Sequence, residues 1–303
     1  NIRRFSMNHV TAILVTYNPD YELLPHVVEQ ITQQVDSVIL IDNASTCSEK
    51  IFSVIKEYSN IHFYSLSENI GLAAAQNLAI SKVQEKCNYV IFFDQDSVIQ
   101  KDLIKQLLIA DFRLRQAGEN VAAVGPSFID PTNNMIYPAT VYKGPFIKKV
   151  DVTSQPIEAT FIIASGCLIK TSAINEIGLM YDGFFIDYID VEWCLRAKSK
   201  GYSVYVIPNA KMYHTIGDSR ITILGRTISI HNPMRRYYLI RNSILICKLK
   251  YIPIGYKIRE CMFNIIRAIL SLLLNNNKKL TLKMIFRGII DGVKGITGRV
   301  EIK

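Results

Sequence analysis

No apolar run in these 303 residues approaches the length of about 20 residues that crosses a bilayer. The longest candidate, Cys261 to Leu274, is short and carries Arg267. No secretory leader is expected ahead of the fold, because the first apolar run, Val10 to Tyr17, leads straight into Asn18-Pro19. The six cysteines include no C-x-x-C pair and no zinc spacing, so they read as reduced, mostly core thiols of a cytosolic protein. There is no G-x-G-x-x-G fingerprint, no P-loop, no internal repeat and no low-complexity segment. Acidic residues are scarce in one region only. Pro233 to Lys303 holds 15 Lys/Arg against 3 Asp/Glu, a balance of +12 in a chain of net +9, which leaves −3 for the rest. A mildly acidic body with a basic tail implies that the tail meets something anionic.

What is present is a sizeable core, at 49% hydrophobic, and a β-α rhythm. Strands are expected at Thr11–Tyr17, Ser37–Asp42, Ile61–Tyr64, Tyr89–Phe93 and Val121–Phe128. Helices are expected at Leu23–Val35, Ile51–Tyr58, Gly71–Val83 and Leu103–Ala117. This alternation implies a largely parallel sheet with helices on both faces. Asp130 to Pro156 reads as hairpins or a loop, and Glu158 to Lys170 as one strand broken at Ser165-Gly166. Val191 to Lys200 reads as a helix stopped by Gly201, Tyr202 to Ile207 as a final strand stopped by Pro208, and everything from Met234 as helical. The expected division is an α/β domain over 8–232 and a basic, amphipathic helical region over 233–303.

The most informative stretch is Tyr89 to Ser97. Five apolar residues form a buried strand, and Asp94 and Asp96 stand where it ends. Ligands of open α/β sheets bind beyond the carboxyl ends of the strands. Two carboxylates there are costly unless a cation shares them, and a divalent metal carrying a phosphate would do so. Thr16-Tyr17-Asn18-Pro19 closes the first strand and Asp42-Asn43-Ala44-Ser45 the second, at the same sheet edge. Singly, such strand ends are also what turn chemistry and helix caps produce. Three in register point to a nucleotide site. Asn69, Gly71 and Gln76 lie on the turn into an alanine-rich helix that permits close backbone approach.

In their order and approximate spacing, TYNP, the strand ending in IDNAS, ENIGLAAAQN and the strand ending in DQD resemble glycosyltransferase family 2 over roughly residues 11–245. FIDYIDVEWCLRAKSKGY makes the chain most similar to bacterial rhamnosyltransferases of polysaccharide and O-antigen synthesis. The resemblance implies a GT-A fold, an inverting glycosyltransferase, a nucleotide-sugar donor with dTDP-L-rhamnose the first choice, and Mg²⁺ or Mn²⁺ as cofactor. It implies Asp190 as the catalytic base, with Ile189 in place of the usual acidic neighbour. It implies donor contacts from Thr16, Tyr17, Asn18, Pro19, Asp42, Asn69, Gly71, Gln76, Asp94 and Arg241. Acceptor or sugar contacts fall to Ser165, Gly166, Asp187, Glu192 and Trp193, and metal contacts to Asp94, Asp96 and His214. Arg196 is expected to tie down a local carboxylate. The acceptor would be a saccharide on a polyprenyl diphosphate at the cytoplasmic face of the bacterial inner membrane.

Leu280 to Ile296 sets Lys283, Arg287, Asp291 and Lys294 among apolar residues. A basic amphipathic helix of this kind lies on an anionic membrane surface, or packs on the domain or on a second subunit as a homo-oligomer contact. Two other classes fit the sequence less well. A sugar-phosphate nucleotidyltransferase needs a glycine- and arginine-rich loop after the first strand, which TYNP lacks. A catalytically dead scaffold with a nucleic-acid-binding tail needs a nucleic-acid motif, and none is visible, so no nucleic-acid partner is expected.

Overall fold

The computed structural model describes residues 8–213, 220–223, 226–229 and 232–301. Four parallel strands open the chain: β1 (Val10–Thr16), β2 (Ser37–Asp42), β3 (Ile61–Ser65) and β4 (Tyr89–Phe93), in the order β3-β2-β1-β4. Their residues alternate between two cores. Ile13, Ile39, Ile41, Val90 and Phe92 face one side, while Leu14, Val38, Leu40, Ile91 and Phe93 face the other. Both faces are apolar because helices cover both, which is why these strands read as unbroken hydrophobic runs. The connections carry α1 (Leu24–Thr32), α2 (Ser48–Ile55) and α3 (Leu72–Ser81). In α1, Leu24, Val27, Val28 and Ile31 bury one helical stripe.

The chain continues through β5 (Val98–Ile99), α4 (Leu103–Gln116), β6 (Val121–Ile129), a hairpin of β7 (Ala139–Lys143) and β8 (Phe146–Val150), β9 (Ile157–Ala159), β10 (Leu168–Lys170), α5 (Thr171–Ile177), α6 (Ile189–Ser199) and β11 (Ser203–Tyr213). The mixed sheet runs β3-β2-β1-β4-β10-β6-β11-β5, with β9 also on β11. β10 is inserted antiparallel between β4 and β6. Two expectations are corrected here. Residues 158–170 are not one interrupted strand, because β9 and β10 pair with different partners. Nor does Pro208 stop the last strand. β11 runs past it on a register shift between Ile207 and Lys211, where the Ser127 hydroxyl reaches the carbonyls of Pro208 (3.1 Å) and Ala210 (3.2 Å). A bulge absorbs the missing proline donor.

The strands β12 (Arg220–Ile223) and β13 (Arg226–Ser229) form a separate antiparallel pair. Three helices follow: α7 (Pro233–Lys248), α8 (Ile254–Leu274) and α9 (Lys278–Lys294). Asn232 caps α7 by accepting from the Arg235 N–H. The helix then buries Tyr237, Arg241 and Asn242 against the 183–187 segment and α9. Gly288 and Gly292 allow α9 to lie close, since a Cβ would come 2.9 Å from the Tyr237 carbonyl or from Ile244 Cβ. No helix among the described residues is long and apolar enough to cross a membrane. All six cysteines are free.

Candidate active site

β1 pairs with β2 on one side and β4 on the other, so the strand order reverses at β1 and opens a crevice at the carboxyl ends of β1 and β4. The first loop is fastened across it. The Tyr17 N–H donates to Gln95 Oε1 (2.8 Å), and Gln95 Nε2 donates back to the Tyr17 carbonyl (3.3 Å). Asn18, at φ 46°, links the loops after β1 and β2. Its N–H meets Ser45 Oγ (2.8 Å), and its side chain accepts from the Thr46 N–H (2.9 Å). Pro19 is buried beneath this turn, while the Tyr17 ring is 48% exposed at its lip.

Asp42 ends β2 fully buried, accepting from the hydroxyls of Thr16 (3.2 Å) and Ser45 (2.5 Å). Asn43 donates to Asn69 Oδ1 (3.1 Å) and accepts from the Ile70 N–H (2.9 Å). These bonds join the second and third strand-end loops into one rim.

Across the rim stand the carboxylates. Asp94 is partly buried and Asp96 exposed. Burial, then the charge of Asp96, pushes the Asp94 carboxyl up to about 6, against the pull of Arg235. A carboxyl strained toward neutrality in this way is what a divalent cation relieves. Two carboxylate oxygens and a donor diphosphate would suit Mg²⁺ or Mn²⁺, which keep few protein ligands. Among the described residues no group of three His, Cys, Asp or Glu gathers. His214, the expected third ligand, lies outside the described residues.

Asp190 opens α6 and accepts from its neighbour, the Val191 N–H (2.8 Å). Burial raises its carboxyl to about 6. The backbone bonds from Val191 and Ala164 lower it, and the charges of Asp187 and Asp94 add to the rise. Asp94, Asp187 and Asp190 therefore share one electrostatic neighbourhood. Asp187 sits in the left-handed region at φ 62° and receives a two-pronged contact from Arg235, at 3.2 and 3.0 Å. Phe185 (67°) and Tyr188 (65°) are left-handed too. Three such non-glycine residues within four positions mark a segment held by its surroundings. Arg235 is a site cation absent from the sequence-derived set. Its one signal was its place in the first turn after Asn232-Pro233.

Several expected site residues are spent elsewhere. Arg241 is fully buried and donates to the carbonyls of Gly183 (3.3 Å), Phe184 (2.9 Å) and Gly298 (2.5 Å), so it does not face a diphosphate. Glu192, also fully buried, pairs with Arg196 at 2.8 Å and accepts from the Tyr251 hydroxyl. That is the role expected of Arg196, and it removes Glu192 from the acceptor set. Trp193 is a core residue whose indole N–H meets the Gly178 carbonyl at 2.9 Å. Ser165 is buried and bonds Ser97 Oγ (2.7 Å) and the Asp94 N–H (3.2 Å), bracing the strand end rather than touching sugar. At Gly166 a Cβ would lie 2.7 Å from Pro126, and at Gly71 2.6 Å from Phe185, so protein fills both close approaches. Gln76 is 4% exposed and, with Asp190, Cys167 and Trp193, lines a cavity of about 20 Å³ behind the site.

The model of the family described as Glycosyl transferase family 2 matches residues 11–178. The chain belongs to glycosyl transferase family 2. This glycosyltransferase is 35% identical to dTDP-rhamnosyl transferase RfbF of Shigella flexneri over 96% of its own length and 97% of that protein. It is 23% identical to the N-acetylglucosaminyl-diphospho-decaprenol L-rhamnosyltransferase of Mycobacterium tuberculosis, over 67% of its length and 74% of the relative's. Among solved structures, GalNAc-T7 with UDP, GalNAc and Mn²⁺ aligns at TM-score 0.62 and 14% identity, over 96% of this chain and 56% of that one. The mannosyltransferase PcManGT of Pyrobaculum calidifontis, with GDP-Man and Mn²⁺, aligns at TM-score 0.56 and 13% identity, over 94% and 87%. These likenesses show the GT-A fold expected from the sequence, with its C-terminal helices.

Proposed function

We propose that this glycosyltransferase moves L-rhamnose from a dTDP-linked donor to a saccharide carried on a polyprenyl diphosphate. The observation that carries the donor is the identity to a dTDP-rhamnosyl transferase along nearly the whole chain. The name of the mycobacterial relative, which includes a diphospho-decaprenol acceptor, supports the lipid carrier. The nucleotide would lie on the rim of Tyr17, Asn18 and Asn69, braced from beneath by the buried Thr16 and Asp42, with the exposed Tyr17 ring available for stacking on a base. Asp94 and Asp96 would hold Mg²⁺ or Mn²⁺, whose charge would stabilise the leaving diphosphate. Asp190 takes the proton of the acceptor hydroxyl as its oxygen bonds to the anomeric carbon. The bond from that carbon to the phosphate oxygen breaks on the opposite face, dTDP leaves and the centre inverts. Arg235, bound to Asp187 and felt by Asp94, holds the acidic segment in place.

The test incubates the protein with dTDP-L-rhamnose and a short-chain prenyl-diphosphate saccharide, with Mn²⁺, Mg²⁺ or EDTA, and follows dTDP release and product mass. Transfer that EDTA abolishes is the expected result. Transfer from a UDP or GDP sugar instead would keep the enzyme class and discard rhamnose. Asp96→Ala is expected to lose the metal-dependent part of dTDP binding in calorimetry, and unchanged binding would sink the metal assignment.

A further inference from the structure

Helix α8 is built inside out. Its charged and polar residues turn toward the protein. Glu260, 2% exposed, accepts from the Tyr188 hydroxyl (2.6 Å) and from Arg267 (3.0 Å), Ser271 is buried, and Asn264 donates to Ser243. The outward face carries Ile254, Ile258, Met262, Ile265, Ile269 and Leu273, each 48–72% exposed, at steps of three and four residues. None of the exposed residues of α8 is charged, while Lys257, Arg259 and Arg267 are half-buried. The short turn Asn275-Asn276-Asn277 leads into α9, which exposes Leu282, Phe286, Ile289 and Val293 along one stripe. Lys283, Arg287 and Lys294 form a row beside that stripe, and Lys278 and Lys279 stand exposed at its start. Two adjoining helices that each expose an apolar stripe of this length, one of them bordered by cations, mark a binding surface.

We propose that the outer faces of α8 and α9 dock on an anionic lipid bilayer. The apolar stripes enter the headgroup and acyl boundary, and the α9 cations meet lipid phosphates. Neither helix is apolar enough to span, so both lie in the interface plane. Charge favours a bilayer over a second copy. Pairing these faces about a two-fold axis would set one basic row near another. The acids on the two helices do not offset that, since Glu260 and Asp291 are 2% and 3% exposed and already paired with Arg267 and Arg287, and the exposed Glu301 beyond α9 is one charge beside several cations. The basic amphipathic pattern of α9 was visible in the sequence. The inverted α8 is what turns it into a platform. The proposal rests on the rhamnosyl-transfer reading only for its purpose, access to a lipid-linked acceptor.

The test floats the full chain with vesicles of phosphatidylglycerol and phosphatidylethanolamine, and with vesicles of phosphatidylcholine alone. Wild-type protein is expected on the anionic vesicles only. Ile265→Asp/Ile269→Asp and, separately, Lys279→Glu/Lys294→Glu are each expected to lower the bound fraction roughly tenfold or more. Both pairs are solvent-exposed, and unchanged thermal melting shows that the fold is kept. Absence of flotation, or flotation untouched by the isoleucine pair, overturns the proposal. So does a dimer in light scattering that the isoleucine pair abolishes, which would give the face to a second copy. Transfer to a water-soluble saccharide acceptor separates the two readings. Both variants are expected to keep wild-type rates there, whereas protein that floats and transfers no sugar keeps the platform and sinks the proposed reaction.

Discussion

Asp190 meets two opposing demands. It needs a dry setting to be a strong base, and it must be ionised at working pH. A carboxyl raised to about 6 satisfies both. Below that value it holds its proton and cannot accept another, so turnover is expected to fall as pH drops through about 6. Asp190→Asn is expected to lose roughly 10²–10⁴ in turnover, with the thermal shift given by dTDP unchanged. Near-wild-type turnover would remove Asp190 from the role. The same raised value has a stability sign. The folded state binds the proton more tightly than the unfolded chain, so this stabilisation is present in acid and lost as pH rises through about 6. Ligand-free Asp190→Asn is therefore expected to melt above wild type at about pH 7.5, with the gap closing near pH 4. Gln76 presents a simpler case. Its buried Oε1 has no hydrogen-bond partner among the described residues. Replacing an unsatisfied buried amide by an apolar chain of similar volume is close to neutral or stabilising. Gln76→Met is expected to melt at or above the wild-type temperature and to bind dTDP equally well. Weaker dTDP binding in calorimetry would return Gln76 to the nucleotide rim.

Elements differ in how plainly the chain announces them, and the reason is length. β2 and β4 lie where their sequence pattern put them, because four or five apolar residues between turn signals suffice to define a buried strand. β5, β9 and β10 have two or three residues each, too few to carry a period. The strand-end loops were legible for the same reason as the long strands: each follows a run whose end is unmistakable. Burial was not legible. Arg241, Glu192, Ser165 and Trp193 occur in motif-like company, yet their polar atoms are bonded to neighbouring elements of the protein. Arg241 shows what that means for α7. Its guanidinium is shared by Gly183, Phe184 and Gly298, two segments far apart in sequence. Lysine keeps the charge but loses the planar fork. Arg241→Lys is expected to cost about 3 kcal/mol or more in urea unfolding, as buried acceptors lose their donor. Folded variant is expected to bind dTDP normally. A selective loss of dTDP affinity at unchanged stability would reinstate Arg241 as a donor ligand.

At the scale of the whole molecule, the acidic crevice and the basic platform are joined by the chain end. Gly295 ends α9 in the left-handed conformation, and the residues beyond it return to the body. The Gly298 N–H donates to the Gly183 carbonyl (2.8 Å), Gly298 receives Arg241, and the Val300 N–H donates to the Tyr238 hydroxyl (3.0 Å). Tyr238 in turn stacks on Phe185 at a ring distance of 5.1 Å, two residues before Asp187. The tail thus pins the strained 185–188 segment from behind, while α9 just before it carries part of the apolar face. Ending the chain after Gly295 removes these three bonds and the Ile296 N–H bond to the Asp291 carbonyl, and leaves the residues of α9 in place. At about 1 kcal/mol for each net hydrogen bond, and more where Arg241 is orphaned, the loss is roughly 3 kcal/mol. The shortened protein is expected to melt several degrees lower. It is also expected to turn over a soluble acceptor more slowly, since Asp187 and Asp190 lose their support, and still to float with anionic vesicles. Full turnover in the shortened protein would mean that the 185–188 segment is held by α7 alone, with no part played by the tail.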